Sequence, residues 1–293
     1  MKRIALFFLV TLFILTPSAF SQGDDWYRPG GFDAIGRSYK TFSVSDTKKV
    51  HFSRGNLQYN ASQNKWRFAL RQYNMLCGDN ANASQSYDGW IDLFGWGTSG
   101  WNSGANGYQP WATSSWYSPG GYDTVNLTGD YANADWGVYN KITNGGNKAG
   151  KWRTLTKDEW EYLIGNSTQR SGKYALATIG GNYTGLVLLP DDWILPSGVT
   201  FTTGYGNGYN TNTYSTAQWQ KMEVAGAIFL PAAGYHYWSG PTSVASVGTY
   251  GLYWSSSYSN DNNYAHFVQF ETGGVSMEAD ARYVGNSVRL VKD

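Results

Sequence analysis

The chain has 293 residues, with 22 lysines and arginines against 21 aspartates and glutamates and a single cysteine. Because the net charge is +1 and the sequence has no basic block, it lacks the electrostatic signature of a nucleic-acid-binding protein. One cysteine excludes a disulfide scaffold and any multi-cysteine metal site, and an aromatic content of 17% is too high for a disordered chain.

Residues 1–21 have the pattern of a secretory signal peptide. Lys2 and Arg3 precede an apolar run at residues 4–15, and small residues at positions 19 and 21 fit a cleavage site before Gln22. The run is shorter than the roughly 20 apolar residues that a transmembrane helix needs. We therefore expect a protein exported to the periplasm, the cell surface or the extracellular medium, with no membrane span and no nucleic-acid partner.

Behind the signal peptide we expect an extended leader at residues 22–41 and a single domain at residues 42–293. Alternating apolar and polar residues predict an antiparallel meander of strands at residues 50–53, 57–59 and 66–70. The stretch from 78 to 150 is rich in Gly, Asn, Ser, Trp and Tyr without periodicity. Its tryptophans indicate long ordered loops, because burying each ring contributes a few kcal/mol.

Two short helices are predicted from their first residues. Thr156 and Glu159 have the spacing of a capping box, an apolar face follows, and Gly165 supplies the stop. Ser215 and Gln218 repeat the capping pattern before a helix that ends near residue 224. The remaining apolar or strand-like pieces lie at residues 186–189, 225–231, 251–255, 265–270, 274–277 and 287–291. Together these predict an α+β fold with short antiparallel strands, two modest helices and long ordered loops.

Three stretches carry a resemblance to a known family. Residues 152–163 read Trp-Arg-Thr-Leu-Thr-Lys-Asp-Glu-Trp-Glu-Tyr-Leu, residues 253–257 read Tyr-Trp-Ser-Ser-Ser, and residues 285–291 read Gly-Asn-Ser-Val-Arg-Leu-Val. In this order they resemble the formylglycine-generating-enzyme-like family, a C-type-lectin-type architecture. The resemblance covers residues 42–293 and implies that fold, with framework roles for Trp254, Gly285 and Arg289.

The closing block is also similar to the variable proteins of diversity-generating retroelements, which display exchangeable side chains on a lectin-type scaffold. Residues 257–263 read Ser-Tyr-Ser-Asn-Asp-Asn-Asn, and so many polar groups are more easily satisfied at the surface than inside. The resemblance implies a ligand-contacting face within residues 254–286. The contact residues that we predict on it are Tyr258, Asn260, Asp261, Asn263, Tyr264, His266, Glu278, Asp280 and Tyr283.

The reactive residues of the family are not matched in this chain. Formylglycine-generating enzymes use cysteine thiolates, whereas Cys77 lies far from the family's catalytic position, so we expect a buried, inert thiol. Sulfoxide-forming relatives use clustered histidines on iron, but His51, His236 and His266 lack the spacing of metal ligands. We therefore expect a non-catalytic protein without a metal or other cofactor.

The carboxylates of the chain do not form the pattern of a glycosidase or of a calcium-dependent lectin. A glycosidase needs two carboxylates across a sugar site, but Glu159 is accounted for by the capping box and Asp191 by a turn. Calcium-dependent sugar binding in lectins uses Glu-Pro-Asn or Gln-Pro-Asp motifs, which are absent. Asp261 among asparagines is typical of a polar hairpin tip.

Three functions remain open at this point. The first is recognition of a protein partner outside the cytoplasm by the C-terminal face. The second is carbohydrate binding, because Trp and Tyr rings stack on sugars while Asn and Ser supply hydrogen bonds. The third is an enzyme of the formylglycine-generating-enzyme-like superfamily, which would carry a bound metal.

Overall fold

The computed structural model describes residues 30–102, 106–112, 125–165, 167–168, 170–236, 244–260 and 263–293. The predicted signal peptide and the first part of the predicted leader lie outside these residues. Within them the protein has a mixed α+β fold with mostly short antiparallel strands and few helices. Across the described ranges, no helix combines the length and apolar character needed to traverse a bilayer.

The strands are short, and the longest three are consecutive near the end of the chain. In order they are β1 (Phe42–Ser43), β2 (Lys49–Phe52), β3 (Leu57–Asn60), β4 (Lys65–Phe68), β5 (Trp90–Ile91), β6 (Tyr174–Ile179), β7 (Tyr183–Leu188), β8 (Asn212–Tyr214), β9 (Ile228–Pro231), β10 (Tyr235–His236), β11 (Val244–Ala245), β12 (Gly251–Tyr258), β13 (Tyr264–Glu271), β14 (Gly274–Ala281) and β15 (Val291–Lys292).

Both predicted capping boxes are confirmed, and each opens a helix. Thr156 caps α2 (Lys157–Ile164) and Ser215 caps α3 (Thr216–Val224), with the reciprocal side-chain bonds from Glu159 and Gln218. The one-turn helix α1 (Trp136–Tyr139) was not predicted; it is capped by Asp135. Four 3-10 helices cover Cys77–Asn82, Asn106–Tyr108, Gly129–Ala134 and Gly208–Asn210.

The sheet of β12, β13 and β14 separates two hydrophobic cores. Side chains of directly opposed residues point to the same side of a sheet, so the register divides its residues into two faces. On the α2 face, Tyr253 and Val268 pack with Trp160 of α2. On the opposite face, Trp254 and Phe267 join a core of tryptophans that includes Trp96, Trp136 and Trp152. The sheet is therefore held rigidly from both sides.

The other sheets complete the scaffold. Strands β8, β6, β7 and β9 form a four-stranded sheet in which only the β6–β8 pair is parallel, and α3 packs on it through Trp219 and Met222. Strand β2 joins β1 and β15, and β3 joins β4 and β5. Strand β6 was not predicted, because both of its faces are largely buried and its sequence shows no alternation. The predicted strand at 287–291 was wrong in extent: only Val291–Lys292 forms a strand, while Ser287 makes an isolated bridge to Tyr253.

Candidate functional site

The predicted contact residues do not share one face of the β12–β14 sheet. Asp280 lies opposite Ala265 and Glu278 opposite Phe267, so both carboxylates belong to the face opposite α2. Tyr258, which is also paired with Ala265, lies on that face and packs against its core. His266 alternates with these positions and lies on the α2 face, whereas Tyr264 begins β13 as an exposed residue.

The hairpin between β12 and β13 carries the other predicted residues. Asn260 is exposed, and Asn263 adopts a left-handed conformation with φ of 79°, which asparagine tolerates better than most residues. Asp261 lies outside the described residues. Tyr283 follows β14 and is partly buried against the tryptophan core. Asn260 and Asn263 thus lie beyond the ends of β12 and β13, apart from the face that carries Asp280.

A cleft of about 370 Å³ opens on the face opposite α2. Its lining combines apolar side chains with two tyrosines, one amide and one carboxylate. The lining residues are Tyr235, Tyr250, Leu252, Phe267, Gln269, Asp280 and Val284, which we call the acidic cleft. Of the predicted contact residues that the structure describes, Asp280 alone belongs to this lining.

Long-range backbone pairing brings the two tyrosines to the sheet. The amide of Gly234 donates to the carbonyl of Tyr250 at 2.8 Å, beside a bridge between Gly234 and Gly251. The next turn is fixed by reciprocal bonds of 2.8 and 2.9 Å between His236 and Gly285. At Gly285 a side chain has no room, because a Cβ there would lie 2.8 Å from the Cβ of His236.

The framework residues suggested by the resemblance are buried in the scaffold. Trp254 is fully buried and its Nε1 donates to the carbonyl of Phe94 at 2.7 Å. Arg289 is fully buried too, and donates to Asn56 Oδ1 at 3.1 Å and Gln72 Oε1 at 2.8 Å. Burial lowers the pKa of Arg289 to about 10. These contacts fix the sheet that carries the acidic cleft.

Within the described part of the chain, neither carboxylate of this face forms an ion pair. Asp280 Oδ1 accepts from the amide of Ala281 at 2.7 Å, and Glu278 Oε1 accepts from the Ser276 hydroxyl at 2.9 Å. Arg282 is fully buried, with its guanidinium 4.7 Å from the centre of the Trp96 ring. Among the described residues that line the acidic cleft, none is basic. Asp280 is therefore the one charged side chain among the described residues that line the cleft.

The residues weighed for catalysis are dispersed through the scaffold. His51 contacts the carbonyl of Ser38, His266 contacts the carbonyl of Glu278, and His236 is buried, which lowers its pKa. Cys77 is half-buried rather than buried, and desolvation together with nearby carboxylates raises the pKa of its thiol. In the ranges the structure describes, no group of three or more His, Cys, Asp or Glu side chains could hold a metal ion.

Glu159 and Asp191 both stabilise the fold. Glu159 forms a paired contact with Arg153, at 2.7 and 2.9 Å, besides capping α2. Asp191 accepts from the amide and hydroxyl of Ser43 and forms an ion pair with the buried Arg170 at 3.4 Å. Each carboxylate is therefore occupied by structural partners.

Sequence reasoning missed most of the acidic cleft. Gln269 gave one usable signal, because it is the polar member of the alternating set Ala265, Phe267 and Gln269 along one strand. Tyr235 and Tyr250 gave none, since only long-range pairing brings them to the sheet. Compared with known proteins, the chain matches no protein-family model, no curated protein and no solved structure.

Proposed function

We propose that this is an exported, non-catalytic recognition protein whose acidic cleft receives a basic side chain of a protein partner. The observation that carries the proposal is the composition of the cleft: an apolar floor, two tyrosines and an unpaired carboxylate on a sheet held from both sides. A volume of about 370 Å³ lies within the range of pockets that bind small ligands or single anchoring side chains.

Arginine and lysine side chains match this lining, because each has an aliphatic stem and a cationic head. Their aliphatic stems pack on apolar surface such as Leu252 and Phe267, while the cationic head stays near polar groups. A cation at the Asp280 end gains a charge-assisted hydrogen bond, and the tyrosine rings add cation–π attraction. An anchor of this kind at the centre of an interface is typical of protein–protein recognition.

The scaffold and the cellular location belong to the same proposal. A C-type-lectin-like fold is supported by the order of the motifs along the chain and by an α+β architecture with few helices. Export is supported by the pattern of residues 1–21. A non-catalytic role is supported by the engagement of Glu159 and Asp191 in ion pairs of the scaffold.

The test is an array of short, otherwise neutral peptides whose central residue is arginine, lysine or glutamine. The array is probed with residues 22–293 as wild type, as Asp280→Asn and as Asp130→Asn, an exposed carboxylate outside the lining of the acidic cleft. Losing a charge-assisted bond weakens binding by about tenfold or more, so Asp280→Asn should lose the arginine and lysine peptides while Asp130→Asn keeps them. Equal binding of glutamine peptides, or equal binding by Asp280→Asn, contradicts the proposal.

A further inference from the structure

A second cleft lies between the β3–β4 hairpin, residues 99–100 and 109–111, and the end of α1. Its volume is about 420 Å³, and it shares no lining residue with the acidic cleft. Among the described residues that line it, none carries a charged side chain. We call it the neutral cleft. Its aromatic and amide lining residues include Tyr59, Asn64, Gln109, Trp111, Tyr139 and Asn140.

Aromatic rings form the floor and the rim of the neutral cleft. Tyr59 and Trp66 are buried at the floor, with ring centres 4.4 Å apart and ring planes tilted by 38° to each other. Trp111 is partly exposed and Tyr139 is exposed, so both present ring surface that a ligand can cover.

Amide groups surround these rings, and the contacts they make inside the protein leave hydrogen-bonding capacity unused. Asn64 accepts from the Tyr59 hydroxyl at 3.2 Å through Oδ1, and Asn140 donates to the carbonyl of Ser99 at 2.8 Å through Nδ2. The Nε2 of Gln109 is buried and has no acceptor among the described residues. Asn64 and Asn140 each use one atom of their side-chain amide in these contacts, so the lining retains donors and acceptors for a ligand that brings oxygen atoms and hydroxyls.

We infer that the neutral cleft binds an uncharged saccharide, as a terminal mono- or disaccharide unit. The C–H face of a sugar ring packs on aromatic rings, and its hydroxyls both donate and accept, which matches a rim of primary amides. An apolar ligand would leave the amides unsatisfied, and the lining residues that the structure describes offer an ionic ligand no opposite charge. The lining thus selects against both alternatives.

Saccharide binding at the neutral cleft is independent of the proposed function, because the two clefts have different lining residues and the saccharide carries no charge. The two sites can be told apart experimentally: binding at the acidic cleft depends on Asp280 and weakens with salt, whereas binding at the neutral cleft depends on neither.

The experiment is an array of neutral oligosaccharides probed with residues 22–293, followed by calorimetric titration of the strongest glycan. The variants are Trp111→Ala and Tyr139→Ala, with Tyr39→Ala as the matched control, because Tyr39 is an exposed aromatic residue that does not line the neutral cleft. Tyr139 is exposed and lies outside the hydrophobic clusters, so Tyr139→Ala tests binding even if Trp111→Ala fails to fold.

We expect a neutral glycan to bind, with affinity reduced about tenfold or more in Trp111→Ala and Tyr139→Ala and unchanged in Tyr39→Ala, since stacking on one ring contributes about that much. The affinity should also stay constant between low and high salt. No binding to any neutral glycan, equal binding by the folded variants, or loss of binding in Asp280→Asn overturns the inference.

Discussion

Asp92 is a fully buried carboxyl group whose ionisation opposes folding. It follows β5 directly and is held by Asn80, whose Nδ2 donates to Asp92 Oδ1 at 2.9 Å, and by the amide of Leu76 at 3.0 Å. Burial raises its pKa to about 6 from an ordinary value of 3.8, although these hydrogen bonds partly offset the rise. The group therefore releases its proton more easily from the unfolded chain.

The sign of the pH dependence follows from that difference. Because the pKa is higher in the folded state, the stabilising contribution is complete below pH 3.8 and is lost as the pH rises through about 6. The shift corresponds to about 3 kcal/mol of unfolding free energy over the whole range. Of this, about 2.5 kcal/mol falls between about pH 4 and pH 8.

The assay is urea denaturation of wild type, Asp92→Asn and Asp130→Asn across that pH range. Asp92→Asn loses one hydrogen bond at every pH, which lowers its free energy of unfolding by a constant amount. The informative quantity is therefore the difference in unfolding free energy between the variant and wild type. This difference should shift by about 2.5 kcal/mol in favour of the variant as the pH rises. Asp130 is exposed, and Asp130→Asn should run parallel to wild type. A constant difference between Asp92→Asn and wild type from acid to neutral pH would refute the reasoning.

Three further predictions concern the scaffold. Thr156→Ala removes the cap of α2 and should lower the free energy of unfolding by about 1 kcal/mol, while Thr156→Ser should not; equal denaturation midpoints for all three proteins would contradict this. Burial alone would raise the pKa of Glu159. The bonds from Arg153, the Thr156 amide and Lys48 lower this pKa by more than burial raises it, so it lies below the ordinary 4.5. Glu159→Gln should therefore cost about 2 kcal/mol at neutral pH, and this cost should shrink as the pH falls below 4.5, a trend that denaturation at both pH values measures. In Gly251→Ala the added Cβ would overlap the Phe270 ring, so the free energy of unfolding should fall by about 1–3 kcal/mol and the melting temperature should drop. In Gly78→Ala the added Cβ meets nothing within 4 Å, so this variant should melt like wild type.

Local signals were sufficient to predict the two longer helices. Thr156 with Glu159, and Ser215 with Gln218, form their capping bonds within four residues, so the information lies in the sequence itself. Strand β6 gave no such signal, because a strand buried on both faces lacks alternation. Strand β8 was equally hidden, since its three residues pair in parallel with a strand far earlier in the chain.

The candidate site depends on strand register, which the sequence pattern left open. His266 and Asp280 were predicted on one face, but the pairing of His266 with Ala279 places them on opposite faces. A change of one residue in register would have reversed that arrangement. The tyrosines of the acidic cleft depend on pairing between Gly234 and Gly251 and between His236 and Gly285, and no local motif encodes these contacts.

The central claim is that the acidic cleft recognises a basic side chain. It is tested most directly by an amide chemical-shift map of residues 22–293 titrated with an arginine-centred peptide, in wild type and in Asp280→Asn. We predict that the shifted amides cluster at Tyr250, Gln269 and Asp280 in the wild type and that the shifts vanish in the variant. Shifts located elsewhere on the protein, or unchanged in Asp280→Asn, would contradict the claim.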